Sequence, residues 1–247
     1  MTMIWLIGAS FIGWFFSSLA GGGSPLIIIP VLSLFLEATR IPPIITIGML
    51  FGNGQRVALY WQGIDWELTR WYLPGAILGA IAGVVLFTQL QLKWLTLLLG
   101  FFLITSILMY RLAENFNGFQ VKAWYFLPAG LIYAFLSGLM GSTGTLLNPF
   151  YLNYGLAKEK VIGTKSSHVL VVHFVKIIAY SALGVLSLPI LGYGVIIGLG
   201  AFPGNWLGRK ILERMQEQQF RQIAIAFVLF SGMMLIWKQR QVFSFLF

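Results

Sequence analysis

Ala20-Gly21-Gly22-Gly23-Ser24-Pro25 decides the reading of this chain, because its outline returns as Met140-Gly141-Ser142-Thr143-Gly144-Thr145. A single offset of 120 residues carries Gly21 onto Gly141, Arg40 onto Lys160, Thr46 onto Ser166, Arg56 onto Lys176 and Tyr60 onto Tyr180. Pro30 and Pro149 pair only if one residue is inserted. Further on, Gly75, Gly79 and Gly83 are echoed by Gly200, Gly204 and Gly208. Apolar segments broken by glycine at matching positions of two repeats are the sequence pattern of a transporter, with the binding site at the breaks.

Composition fixes the class around those turns. Hydrophobic residues make up 58% of the 247-residue chain and charged ones 9%, whereas soluble domains run near about 45–50% and about 25%. The chain is therefore expected to be an all-α, polytopic membrane protein. A spanning helix takes roughly 17–25 residues, which leaves room for about eight to ten segments and no sizeable soluble domain. A β-barrel does not fit, because the apolar runs are continuous rather than alternating. The net charge of +9 sits mostly in short loops, where the positive-inside rule accounts for it without nucleic acid. There is no Cys, and two His and seven carboxylates are scattered, so neither a disulfide, a metal site nor a cofactor is expected. No Walker A, H-E-x-x-H or G-x-S-x-G motif occurs, and the chain does not read as an enzyme. The amino end, Met1-Thr2-Met3-Ile4-Trp5, lacks the basic start and cleavage site of a signal peptide and reads as an uncleaved first helix.

Apolar segments fall at 3–20, 24–37, 42–61, 70–88 and 92–110, then at 123–140, 144–157, 161–185, 189–207 and 219–237. Residues 1–118 form the first membrane repeat and 119–247 the second, together one transport domain. The second and seventh segments are too short for a full perpendicular helix, so half-helices or re-entrant pieces are expected there. Five segments per copy invert the second copy, giving a pseudo-twofold axis in the membrane plane. If all ten span, Arg70, Arg111, Lys122, Lys158, Lys160, Arg209, Lys210, Arg214 and Arg221 collect on one side, against Arg40, Lys93, Lys238 and Arg240. That places the first group in the cytoplasm and both chain ends outside it. If the short segments do not cross, the count falls to eight.

Arg56 and Lys176 lie well inside apolar segments, where a charge costs about 2.5–3.5 kcal/mol. Two readings stand. Each could snorkel or rest on backbone carbonyls, or the two could form a cationic pair near the midplane, neutralised by an anionic substrate. The glycine turns suit an anion as well, since the first amides of a helix lack internal partners and carry the positive end of its dipole. Gly21, Gly22, Gly23 and Ser24 in one copy, and Gly141, Ser142, Thr143, Gly144 and Thr145 in the other, are the candidate donors. Asn53 and Gln55 beside Arg56, and Asn148 after the second turn, add neutral groups. The alternative for the glycines is close helix packing. Lys165, Ser166, Ser167, His168 and His173 place a polar load on the eighth segment. Its histidines could carry a coupled proton or simply hydrogen-bond a neighbouring helix. Glycine every fourth residue at 75–83 and 200–208 is the pattern for close helix crossing, within the chain or between subunits.

Taken together, the Gly21-Gly22-Gly23-Ser24-Pro25 turn leading to Pro30, the duplicated halves, the deep basic residues and the paired glycine-faced helices resemble the sulfite exporter TauE/SafE (TSUP) family. The resemblance implies secondary transport of small sulfur-containing or carboxylated anions, such as sulfite, sulfoacetate or related sulfonates. It also implies a bacterial plasma-membrane location, and it admits a homodimer. The substrate would then be held by Arg56, Lys176 and the two turns. Two rivals to a carrier remain open from the residues alone: an anion channel using the same site, and a non-transporting scaffold for an envelope enzyme.

Overall fold

The computed structural model describes residues 2–32, 34–37, 39–90, 120–143, 147–216, 218–219 and 222–223. The segment expected at 92–110, nearly all of that at 219–237, and the turn residues Gly144 and Thr145 lie outside the described residues. The helices are α1 (Thr2–Leu19), α2 (Ser24–Leu32), α3 (Ile41–Leu59), α4 (Trp66–Gln89), α5 (Phe126–Met140), α6 (Asn148–Asn153), α7 (Lys158–Ala182) and α8 (Leu188–Leu212). No strand occurs among the described residues. Lipid offers the backbone no hydrogen-bond partners, which favours helices in the described apolar segments.

Four stretches among the described residues are long and apolar enough to cross a membrane: Trp66–Gln89, Ala123–Met140, Lys158–Ala182 and Leu188–Leu212. Their outer faces carry exposed apolar side chains, such as Leu78 and Ile81 on α4 and Leu199 and Trp206 on α8. By contrast, α2 has nine residues and α6 only six. At 1.5 Å per residue α2 rises about 14 Å, roughly half the hydrocarbon thickness. Both short segments are therefore broken helices, covering only part of the stretches expected at 24–37 and 144–157. Helix α7 starts three residues earlier than its apolar run and α8 continues five residues past its own, through polar turns. Lys158 joins these two ends, donating to Leu212 O (3.2 Å) and to Met215 O.

The helices of residues 1–118 and 119–247 interleave. One apolar core gathers Leu68, Tyr72 and Ala76 of α4 with Phe126 and Tyr133 of α5 and Val169 of α7. The other gathers Leu6 and Trp14 of α1, Ile28 of α2, Ile44 of α3 and Ile197 of α8. The glycine-striped α4 thus packs into the first core and the glycine-striped α8 into the second. A Cβ at Gly75, Gly79 or Gly83 would overlap the carbonyl oxygens of Leu127, Leu131 and Phe135 on α5. One at Gly200 or Gly204 would come within 2.8 Å of Ile7 O or 2.7 Å of Phe11 O on α1. The stripes are internal contacts: α4 on α5 and α8 on α1. Besides these, α3 packs on α7 and α8, and α4 packs on α7.

Candidate functional site

Helix α1 ends where three successive glycines take positive φ, +66° at Gly21, +139° at Gly22 and +102° at Gly23. Glycine alone does this without strain. The Gly22 N–H donates to Ser17 O at 2.8 Å, the six-to-one bond of a Schellman cap. The chain reverses within four residues, and α2 begins at Ser24, where Pro25 has no N–H and the Leu26 N–H donates to Gly23 O at 2.9 Å. In the second turn, Gly141 is such a positive-φ glycine. Gly141 has φ +89° and donates to Ser137 O at 2.9 Å, while a Cβ there would stand 2.8 Å from Pro42 Cα.

A small, partly open cavity lies beside the first turn. Of the residues expected at the site, Gly21, Gly22, Gly23, Ser24, Asn53, Arg56 and Ser142 line it. Trp14 and Ser17 of α1, Met49 of α3, Tyr133 of α5, and Lys165 and Ser166 of α7 complete its polar and sulfur-bearing wall. Two of those groups, Trp14 Nε1 and Ser17 Oγ, are buried without a hydrogen-bond partner. Gly141 and Thr143 do not line the cavity.

Arg56 is buried, at 4% exposure. Its Nε donates to Asn205 Oδ1 at 2.8 Å, and Nη2 donates to Ser18 Oγ at 2.9 Å and Trp14 O at 3.3 Å. The guanidinium also lies over the Trp14 ring, 4.7 Å from its centroid. It thereby secures the C-terminal turn of α1, where the helix dipole favours a cation. Asn205 anchors the arrangement from α8, donating in turn to Gly52 O at 2.9 Å and Gln55 Oε1 at 3.0 Å. Gln55 itself faces α8 and donates to Phe202 O.

The second cation in the cavity is Lys165. Its ammonium donates to Gly21 O at 2.8 Å and to Asn148 Oδ1 at 2.5 Å, while Asn148 Nδ2 donates to Ala20 O at 3.2 Å. Both acceptors are neutral. Among the described residues no carboxylate lines the cavity, and the ion pairs, Lys158–Glu159 and Arg209–Glu213, lie elsewhere. Sequence reasoning noticed Lys165 but built the site on Lys176. The signal that could have favoured Lys165 is its position among Ser166, Ser167 and His168, where α7 is most polar.

Lys176 is not brought beside Arg56. Fully buried, it donates to Ser137 O (2.7 Å), Ser137 Oγ (3.2 Å) and Gly141 O (2.6 Å). This is the carbonyl-bound alternative, at the C-terminal end of α5. The histidines differ from one another. His168 stacks on Tyr72 with centroids 4.0 Å apart and has both ring nitrogens bonded, Nδ1 to Tyr151 Oη at 2.8 Å and Nε2 to Thr69 Oγ1 at 3.0 Å. Thr69 spends its own hydroxyl proton on Asp65 O. Nε2 is therefore the donor and Nδ1 accepts from Tyr151, which fixes a neutral tautomer. His173 is fully buried with neither ring nitrogen paired.

Long apolar helices packed around a cavity with two buried cations fit a multi-pass membrane protein. Residues 6–235 match the profile of the family described as sulfite exporter TauE/SafE, and the chain belongs to that family. Its members are transporters, not enzymes. Comparison with curated proteins and with solved structures gives no match.

Proposed function

We propose that the protein is a secondary transporter carrying a small sulfur-containing oxyanion, such as sulfite or a sulfonate, across the plasma membrane by alternating access. The cavity carries this reading. Arg56 and Lys165 face it with neutral partners only, and Trp14 Nε1 and Ser17 Oγ lack acceptors. An oxyanion supplies the missing counter-charge and accepts from those donors. Bound cargo also lowers the net charge that must move through lipid.

The helix contacts support the inverted-repeat mechanism. Under the repeat register, the α1–α8 contact exchanges with α5–α4, the α3–α8 contact exchanges with α7–α4, and α3–α7 maps onto itself. A pseudo-twofold axis generates that pattern, and two interleaved halves can rock about it. Arg56 in the last turn of α3 bonds Trp14 and Ser18 near the end of α1. Those two helices thus finish at one level, and the chain must return between them. This favours counting the α2 segment as a crossing, with ten crossings in all, the basic loops cytoplasmic and both ends outside.

The test is uptake and counterflow of radiolabelled sulfite, sulfoacetate and sulfate in proteoliposomes, with and without a pH gradient, beside Arg56→Ala. Saturable flux that disappears in the inserted, folded variant is expected. Undiminished flux in Arg56→Ala refutes the site. No flux of any small anion, together with a stoichiometric co-purifying protein, refutes the transporter in favour of the scaffold.

A further inference from the structure

The register that aligns Arg56 with Lys176 also aligns Ser17 with Ser137, Gly22 with Ser142 and Asn53 with His173. Ser142 lines the observed cavity along with Gly22, but the other three pairs are in opposite conditions. Ser17, Gly22, Asn53 and Arg56 line the cavity, whereas Ser137, His173 and Lys176 are sealed at 0% exposure. We propose that Ser137, His173 and Lys176 form a second, closed half-site for the same small oxyanion, which opens as the observed cavity closes. The proposal rests on the alternating-access reading and goes beyond it by assigning a second site.

Three observations carry it. His173 has a donor and an acceptor nitrogen, and neither has a partner. Leaving a buried polar group unpaired costs about 1–3 kcal/mol, and native structures keep such groups where something other than stability requires them. Lys176 stands three residues further along α7, on a neighbouring position of the same helix, and bonds the end of α5. Its ammonium is folded onto Ser137 and Gly141, the turn that its own copy would use to hold an anion.

The third observation is an asymmetry. Arg56 is tied down by Asn205, the residue after Gly204, but the residue after the matching Gly79 is Ala80, which has no acceptor. Lys176 therefore has no side-chain anchor on the striped helix that packs beside it. It can exchange its bonds to Ser137 and Gly141 for bonds to an anion without leaving an Asn acceptor unpaired. In the opposite-facing state, the oxyanion would lie against Lys176 and accept from the N–H of His173. Arg56 would meanwhile stay closed on α1, as Lys176 now is on α5.

The chain contains no cysteine, so single-cysteine reporters need no background removal. Asn53→Cys reports the observed cavity and His173→Cys the second one. Thr143→Cys, on the second turn, stands in if His173→Cys fails to fold. An impermeant thiol reagent is applied to one face of the proteoliposome at a time, with sulfate as the competing anion because sulfite attacks such reagents. The expected result is labelling of Asn53→Cys from one face and of His173→Cys or Thr143→Cys from the other, each slowed by sulfate. Second-copy reporters sealed from both faces, or labelled from the same face as Asn53→Cys, overturn the proposal. A sealed Asn53→Cys with a reactive His173→Cys instead refutes the observed cavity as a site and leaves the second one standing.

Discussion

Lys165→Met separates the cavity's charge from its shape, since it removes the ammonium and keeps most of the stem. The wild-type ammonium has three donors, of which Gly21 O and Asn148 Oδ1 take two. The third is the one available to an anion. A hydrogen bond to a charged group is worth about 1.5–3 kcal/mol, so losing it should raise the Kd for sulfite roughly 10- to 150-fold. The variant also strips Gly21 O and Asn148 of their donor and should melt earlier. Kd is therefore measured by titration calorimetry on detergent-purified protein well below either Tm. Lys160→Met makes the same change at an exposed position of α7. It should shift Kd by no more than about twofold, as surface substitutions do. A Kd for Lys165→Met within twofold of wild type, in protein that melts earlier, would show that Lys165 is a strut for the first turn and not a ligand.

Gly79→Ala forces a methyl group onto Leu131 O of α5 and should lower stability by about 1–3 kcal/mol. Gly192→Ala on α8 meets nothing within 4 Å and should be neutral or stabilising by up to about 1 kcal/mol; denaturant titration in detergent compares the two. Asn205→Leu leaves Arg56 Nε without its acceptor. It should cost at least about 1–3 kcal/mol in the same assay and reduce anion flux, because the guanidinium loses its fixed position. Equal stability of Asn205→Leu and wild type would show that Arg56 does not depend on α8.

The register of the two glycine turns predicted much of what the structure contains. Gly21 and Gly141 both sit at helix ends with positive φ, and the striped helices α4 and α8 make equivalent close crossings. Seven of the expected site residues line one cavity. At one point the cavity departs from the same register. That register made Lys176 the natural companion of Arg56, yet the residue that joins Arg56 is Lys165, whose counterpart in the first copy is the apolar Ile45. Nor did the sequence single out Asn205, which sits inside a glycine pattern that reads as packing alone.

Sequence by itself determined the class, the broken segments and the stripes, because these depend on local physics. Lipid requires each apolar run to satisfy its own backbone, and a left-handed turn requires glycine wherever it occurs. Only the tertiary structure decided which cation enters the cavity, which one closes onto the end of α5, and which helices pack together. Those outcomes depend on the acceptors that neighbouring helices bring within reach. Asn148 and the Gly21 carbonyl reach Lys165, whereas Ser137 and the Gly141 carbonyl reach Lys176. Two buried lysines on one helix, alike in sequence, thus meet different partners.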